Sequence, residues 1–313
     1  MLVTGVTGAI GSRLAPRLLA DGHEVRGLTR SPPATAAPAP GGHTAQAQLQ
    51  LLEGDALSGR GLGRALRGVD VAYYLIHSME PGGAASLEER EQLAARNFAR
   101  AARRAGVERV IYLGGLVPAE APVRSAHLAS RLAVERTLCE ALPGALALRA
   151  SIVIGARSRS FRFLVRLVER MPVLIVPAWR EHRTAPVDER DVVECLARAA
   201  TMPEPPCRSL DIGGPDVVSY GELITQIRDA LLVDRAVLNL PRLTLTPLAS
   251  RISALIAGEQ HALIGPLMEG LTGDLLPREP QATEVLAVRR HSLAAAIDHA
   301  LREWERAEPL SAR

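Results

Sequence analysis

The chain opens Leu2-Val3-Thr4-Gly5-Val6-Thr7-Gly8-Ala9-Ile10-Gly11, an apolar strand pattern that runs through G-x-x-G-x-x-G into a helical period. Gly5 permits a tight turn off the strand, Gly8 lets the backbone approach a pyrophosphate, and Gly11 lets the helix pack closely on a sheet. Thr7, Ala9 and Ile10 complete the turn, whose N–H groups suit phosphate oxygens at the positive end of the helix. Glycine triplets also arise by chance, so the signal rests on its context between a strand and a helix at the start of the chain.

That context continues. Up to about Gly155, short apolar runs alternate with longer segments of helical period, the pattern of a parallel sheet with crossover helices. Strands are predicted at Leu2–Thr4, Glu24–Leu28, Leu49–Glu53, Val69–Ile76, Arg109–Leu113 and Ala145–Ile154. The expected fold class is therefore α/β, a doubly wound Rossmann sheet over residues 1–155, with a smaller C-terminal α+β substrate lobe over 156–313. Part of 180–215 is expected to return to the first domain.

The first helix should bury Ile10, Leu14 and Leu18, end near Asp21-Gly22, and bend at Pro16. A second, over Leu87–Ala105, carries Leu93, Ala94, Phe98, Ala101, Ala102 and Ala105 in one stripe, with Gly106 placed to end it. Residues 31–47 are rich in Pro, Ala and Gly and read as a loop. The apolar stretch Leu238–Leu276 either finishes the core or walls a substrate pocket. A terminal helix is predicted over Ser292–Arg306, burying Leu293, Ala296, Ile297, Ala300, Leu301 and Trp304.

Cofactor choice is read at the end of the second strand. An acid there favours NAD through the ribose hydroxyls, and an arginine favours NADP through the 2′-phosphate. The strand runs into Thr29-Arg30-Ser31 with no acid at the tip. NADP(H) is expected over NAD(H), with Arg30 as the phosphate ligand and Thr29 or Ser31 assisting. Asp55, followed by Ala56, closes the third strand where a carboxylate can accept from the adenine amino group; the alternative is that Asp55 caps its own loop. Leu75 and His77 at the end of the fourth strand, and Gly114 at the end of the fifth, are further candidate cofactor contacts.

All 37 basic residues are arginine, against 34 acids. Without lysine there is no Schiff base, P-loop lysine or Tyr-x-x-x-Lys dyad. A formal charge of +3 and few aromatics argue against nucleic acid. No apolar run reaches the roughly 18 residues needed to span a bilayer, and Met1 leads directly into a strand pattern, so a cytoplasmic location is expected. Cys139, Cys195 and Cys207 lie far apart, with no thiolate zinc spacing. Asp188, Glu189 and Asp191 near His182 lack a ligand spacing and are expected to begin a helix after Pro186; no metal is expected.

These motifs resemble the atypical and extended short-chain dehydrogenase/reductases, in particular the NmrA-like NAD(P)-binding group related to the nucleotide-binding accessory subunit of respiratory complex I. The resemblance is carried by VTGVTGAIG at 3–11, GLTRSP at 27–32, EGDAL at 53–57, GVDVAYYLIHSM at 68–79, AGVERVIYLGGL at 105–116 and HLASRLAVE at 127–135, with DIGGPDVVSYGEL at 211–223. It implies a nucleotide-binding lobe with a substrate lobe over the C-terminal strand ends. It also implies a serine, tyrosine and lysine triad, whose positions fall at Gly114 or Gly115, His127 and Arg131, all replaced.

His127 and Arg131 share a helix face. His127 can supply a proton near pH ~6.5 and Arg131 can hold ribose hydroxyls; alternatively Arg131 pairs with Glu135 on a wet face. His77 is a second candidate donor, with Tyr73, Tyr74 and Met79 around it as either core or pocket. The basic run Arg157, Arg159, Arg162, Arg166 and Arg170 fits a solvated helix face better than an anion site. The leading expectation is an NADP(H)-binding oxidoreductase acting on a small apolar carbonyl or alkene. The alternatives are a non-catalytic NAD(P)-binding redox sensor or assembly protein, and a non-redox enzyme on the same scaffold. A small-molecule substrate is the expected partner; the oligomeric state is open.

Overall fold

The computed structural model describes residues 1–32, 49–77, 87–118, 125–170, 173–176, 178–203, 208–233, 236–239 and 273–308. In chain order its first elements are β1 (Leu2–Thr4), α1 (Gly11–Ala20), β2 (Arg26–Thr29), β3 (Gln50–Glu53), α2 (Leu62–Leu66), β4 (Val71–Tyr74), α3 (Leu87–Ala105), β5 (Arg109–Gly115), α4 (Ala126–Ala141) and β6 (Ala145–Ala150). There follow β7 (Val153–Ile154), α5 (Arg159–Arg170), β8 (Val173–Val176), β9 (Arg183–Thr184), β10 (Val187–Asp188), α6 (Glu189–Ala199) and β11 (Ser209–Ile212). The last are β12 (Val218–Ser219), α7 (Tyr220–Ala230), β13 (Ala236–Asn239), α8 (Ala282–Val285) and α9 (Leu293–Ala307).

Seven strands form one sheet in the order β11-β6-β5-β4-β1-β2-β3. The order reverses between β1 and β4, the switch point at which doubly wound sheets bind ligands. The register aligns Val3 with Gly27 of β2 and with Tyr73 of β4, all parallel. Sequence patterning places six of the strands; β11 is the addition, and the long run Ala145–Ile154 divides into β6 and β7. The division follows from backbone bonding: Ser151 donates to Ile212 O, whereas Ile152 O accepts from Val187.

The chain divides into two compact units, one of residues 1–114, 132–148 and 193–209, the other of 115–131, 149–192 and 210–313. In the first, the inner strands β1, β4 and β5 bury successive residues and hence both faces, as crossover helices require, whereas the edge strand β3 stays partly exposed. Its core includes Leu2, Leu66, Tyr74, Phe98, Tyr112 and Leu138, with the Tyr74 and Phe98 rings 5.0 Å apart. Leu14 and Leu18 of α1 are buried; Ile10 sits outside the helix as its N-cap, and Pro16 lies within the helix on an exposed position, where a missing N–H costs least. On α3 the stripe is narrower than predicted: Phe98 and Ala102 are fully buried, but Leu93 is 42% exposed.

The second unit packs α5, α7 and α9 around Phe161, Leu223, Ile227, Ile297 and Trp304. The α9 face is the one the periodicity predicts, all six named residues being buried, with the Ser292 side chain accepting from Ala295 N–H as N-cap. Arg162 and Arg166 lie 4.3 and 4.8 Å from the Trp304 ring centroid and share Glu308 at 2.7 and 2.8 Å. Two members of the basic run are thus held by a stacked, ion-paired cluster, with cation–π attraction adding to the packing. Residues 33–48 and 240–272, with Met79 and Cys207, lie outside the described residues.

Candidate functional site

The glycine turn is built by close backbone approach. Gly5 has φ +63°, and a Cβ there would stand 2.8 Å from Leu75 O. At Gly11 a Cβ would stand 2.3 Å from Gly5 O and 2.9 Å from Val6 Cα, so the start of α1 can lie against β1 only without a side chain. Gly8 N–H donates to Gly5 O (2.9 Å) and Ser12 N–H to Gly8 O (3.1 Å), closing the turn. Thr7 and Gly8 are exposed, and Ala9 and Ile10 half-buried. Helix α1 has no side-chain cap and no acid in its first turn. Its N-terminus therefore presents partial positive charge without a built-in anion, the condition for holding phosphate.

Thr4 supports the turn in a way that escaped sequence reasoning. Thr4 is fully buried; its Oγ1 donates to Tyr73 O at 2.9 Å and accepts from Leu75 N–H at 3.1 Å. The hydroxyl thus stitches β1 to the end of β4 beneath the turn, leaving no buried polar atom unmet there. The available signal was a lone hydroxyl in an apolar strand next to the first glycine.

At the other side of β1, Arg30 and Ser31 follow β2 and are exposed. Asp55 is held by its own loop: Oδ1 accepts from Leu57 N–H at 3.1 Å and Oδ2 from Ser58 N–H at 3.0 Å. Burial pushes its carboxyl up, but hydrogen bonds from Ser58 and Leu57, and the charge of Arg30, outweigh this and hold it below the usual value. Arg30 and Asp55 are thus brought into one electrostatic neighbourhood. Asn97 of α3, also missed in the sequence, donates to Ala56 O and Leu57 O at 3.2 and 2.8 Å and fixes this loop. Ala56 and Leu75 are buried, Gly114 is half-buried, and His77 is exposed beyond β4.

In the second unit, His127 is half-buried at the start of α4, one turn before buried Arg131. Glu135 is also buried. The Arg131–Glu135 face is therefore not the wet face of the alternative reading. All four tyrosines are buried; Tyr73 Oη donates to Leu196 O at 3.2 Å, and burial pushes its hydroxyl well above its ordinary value. Tyr73 and Tyr74 belong to the core, not to a pocket beside His77.

Residues 5–137 match the NAD(P)H-binding family model. The chain is 32% identical over 120 residues to a 3-beta-hydroxysteroid dehydrogenase of Mycolicibacterium neoaurum, covering 36% of this chain and 31% of the relative. It is 30% identical over 174 residues to a ceramide reductase of Caulobacter vibrioides, covering 56% and 52%. The matched segments thus span about a third and about half of those proteins. A likeness of fold extends over 98% of both chains to MoeE5 in complex with UDP-glucose and NAD, at 21% identity and a TM-score of 0.69. No described helix is long and apolar enough to cross a membrane. The segment that carries the glycine turn and the motifs at 27–32, 53–57, 68–79 and 105–116 is thus the one that is similar to the NAD(P)H-binding family.

Proposed function

We propose that this protein is an NADPH-dependent reductase of a small apolar carbonyl or alkene. The observation that carries the cofactor preference is the end of β2, where exposed Arg30 stands with no acid at the tip. A guanidinium there can pair bidentately with a 2′-phosphate. The bound nicotinamide supplies or accepts a hydride; the chain's own residues bind, orient and move the proton. Similarity to a steroid dehydrogenase and a ceramide reductase supports an apolar substrate, while the fold is shared with a protein that binds NAD and a sugar nucleotide.

With the tyrosines buried and lysine absent, His127 is the proton donor in this reading. His127 would give its imidazolium proton to the carbonyl oxygen and be left as neutral imidazole, while the hydride needed at carbon would come from the reduced nicotinamide. Arg131 holds position and charge without exchanging a proton. A second reading, a non-catalytic NAD(P)-binding protein, is favoured by the loss of the triad at Gly114 or Gly115, His127 and Arg131.

Titration should show NADPH binding about tenfold or more tighter than NADH, a difference of about 1.4 kcal/mol. Arg30→Ala should erase that preference and leave NADH affinity nearly unchanged; equal affinities in the wild type would remove the role given to Arg30. In a screen of steroid and long-chain ketone substrates, His127→Ala should lower kcat by roughly 10² to 10⁴ at unchanged cofactor affinity. Unaltered turnover excludes His127 as donor, and NADPH binding without turnover of any substrate favours the non-catalytic reading.

A further inference from the structure

We propose that Glu189, His299 and Glu303 bind one divalent transition-metal ion, with zinc the best match. Each of these side chains offers one ligand atom, and the three atoms lie within 4.8 Å of one another. The residues come from distant parts of the second unit: Glu189 opens α6, and His299 and Glu303 stand four apart on α9, hence on one face.

Glu189 is fully buried. Both of its carboxylate oxygens, and Oε2 of Glu303, are shielded from water. Room for the Glu189 carboxylate is made by Gly155, just beyond β7, where a Cβ would stand 2.1 Å from Oε2. Any residue with a side chain at 155 would displace the carboxylate from its place beside α9.

Charge balance points the same way. Two carboxylates, a neutral imidazole and a divalent ion sum to zero charge, a set that can sit beside the buried Glu189. The donor set, one nitrogen and two carboxylate oxygens, suits zinc with a water as fourth ligand and suits calcium or magnesium poorly. Metal–ligand bonds of about 2.1 Å place ligand atoms at most ~4.2 Å apart. His299 Nε2 and Glu303 Oε2, at 3.8 Å, are within that reach; with all three atoms inside 4.8 Å, the set needs to close by at most roughly 0.6 Å. The ion would tie α9 to the start of α6. Asp188, Glu189 and Asp191 taken with His182 showed no ligand spacing, because the partners of Glu189 lie more than a hundred residues further on.

The test uses untagged, chelator-stripped full-length protein and calorimetric titration with zinc, then with magnesium. The expected result is saturable binding of one zinc ion and a rise in Tm of about 5 °C at a hundredfold excess over Kd, with no competition from magnesium. His299→Ala and Glu303→Gln, at half-exposed positions, should each weaken zinc binding tenfold or more while keeping one cooperative unfolding transition. Zinc-edge X-ray absorption of the wild-type complex should show nitrogen and oxygen ligands without sulfur. No saturable zinc binding, a sulfur shell, or wild-type affinity in both variants would overturn the proposal.

Discussion

Gly11→Ala is expected to lower dinucleotide affinity about 100-fold, near 2.7 kcal/mol, and to destabilise the first unit by about 1–3 kcal/mol. The new Cβ would meet Gly5 O at 2.3 Å and Val6 Cα at 2.9 Å, both backbone atoms that no rotamer change can clear. Either α1 moves off β1 or the turn opens, and both displace the N–H groups at the helix start. Gly63→Ala provides the control, since a Cβ at that position of α2 meets nothing within 4 Å; a helical alanine there should be neutral or slightly stabilising. Calorimetric titration with NADPH and thermal unfolding read the two effects separately. Affinity within threefold of wild type for Gly11→Ala would mean that this turn does not hold the cofactor.

The same turn shows why some of the site is legible in the sequence. Glycine spacing reports backbone proximity directly, so Gly5 and Gly11 declare a turn and a packing contact in the sequence alone. Helix α9 is legible for a related reason: six apolar residues at helical period admit one buried face. Legibility fails where a polar residue takes its meaning from a distant partner. Thr4 reads as one more strand residue until Tyr73 and Leu75 are seen across the ladder, and Asn97 reads as helix surface until the carbonyls of Ala56 and Leu57 are found beneath it. Leu93 fails differently: helical period is right for α3, but 42% exposure shows that the buried stripe centres on Phe98 and Ala102 and stops short of it. Strand β11 escaped because its apolar content is short and interrupted by Asp211, whose reason for being there is an ion pair invisible in one dimension.

That ion pair leads to a stability effect larger than the one expected at the glycine turn. Asp211 is only 2% exposed in β11. Its Oδ2 accepts from Arg278 N–H at 3.0 Å and Nε at 2.9 Å, its Oδ1 from Nη2 at 3.1 Å, and Arg149 Nη1 lies 3.9 Å away. Asp211→Ala removes a buried carboxylate while leaving the buried Arg149 guanidinium and the Arg278 backbone N–H behind. Breaking one side of such a group costs about 3–5 kcal/mol, because the remaining charge keeps its desolvation penalty. For a unit of this size that is a fall in Tm of roughly 6–20 °C. Arg278→Ala should cost much less, about 1–2 kcal/mol, since the Arg278 side chain is 46% exposed and its loss leaves Asp211 facing Arg149. Thermal unfolding of the two variants and the double variant reads the coupling directly. The double variant should be little worse than Asp211→Ala, whereas additive losses, or a fall under 2 °C for Asp211→Ala, would show that the carboxylate is not the centre of this network.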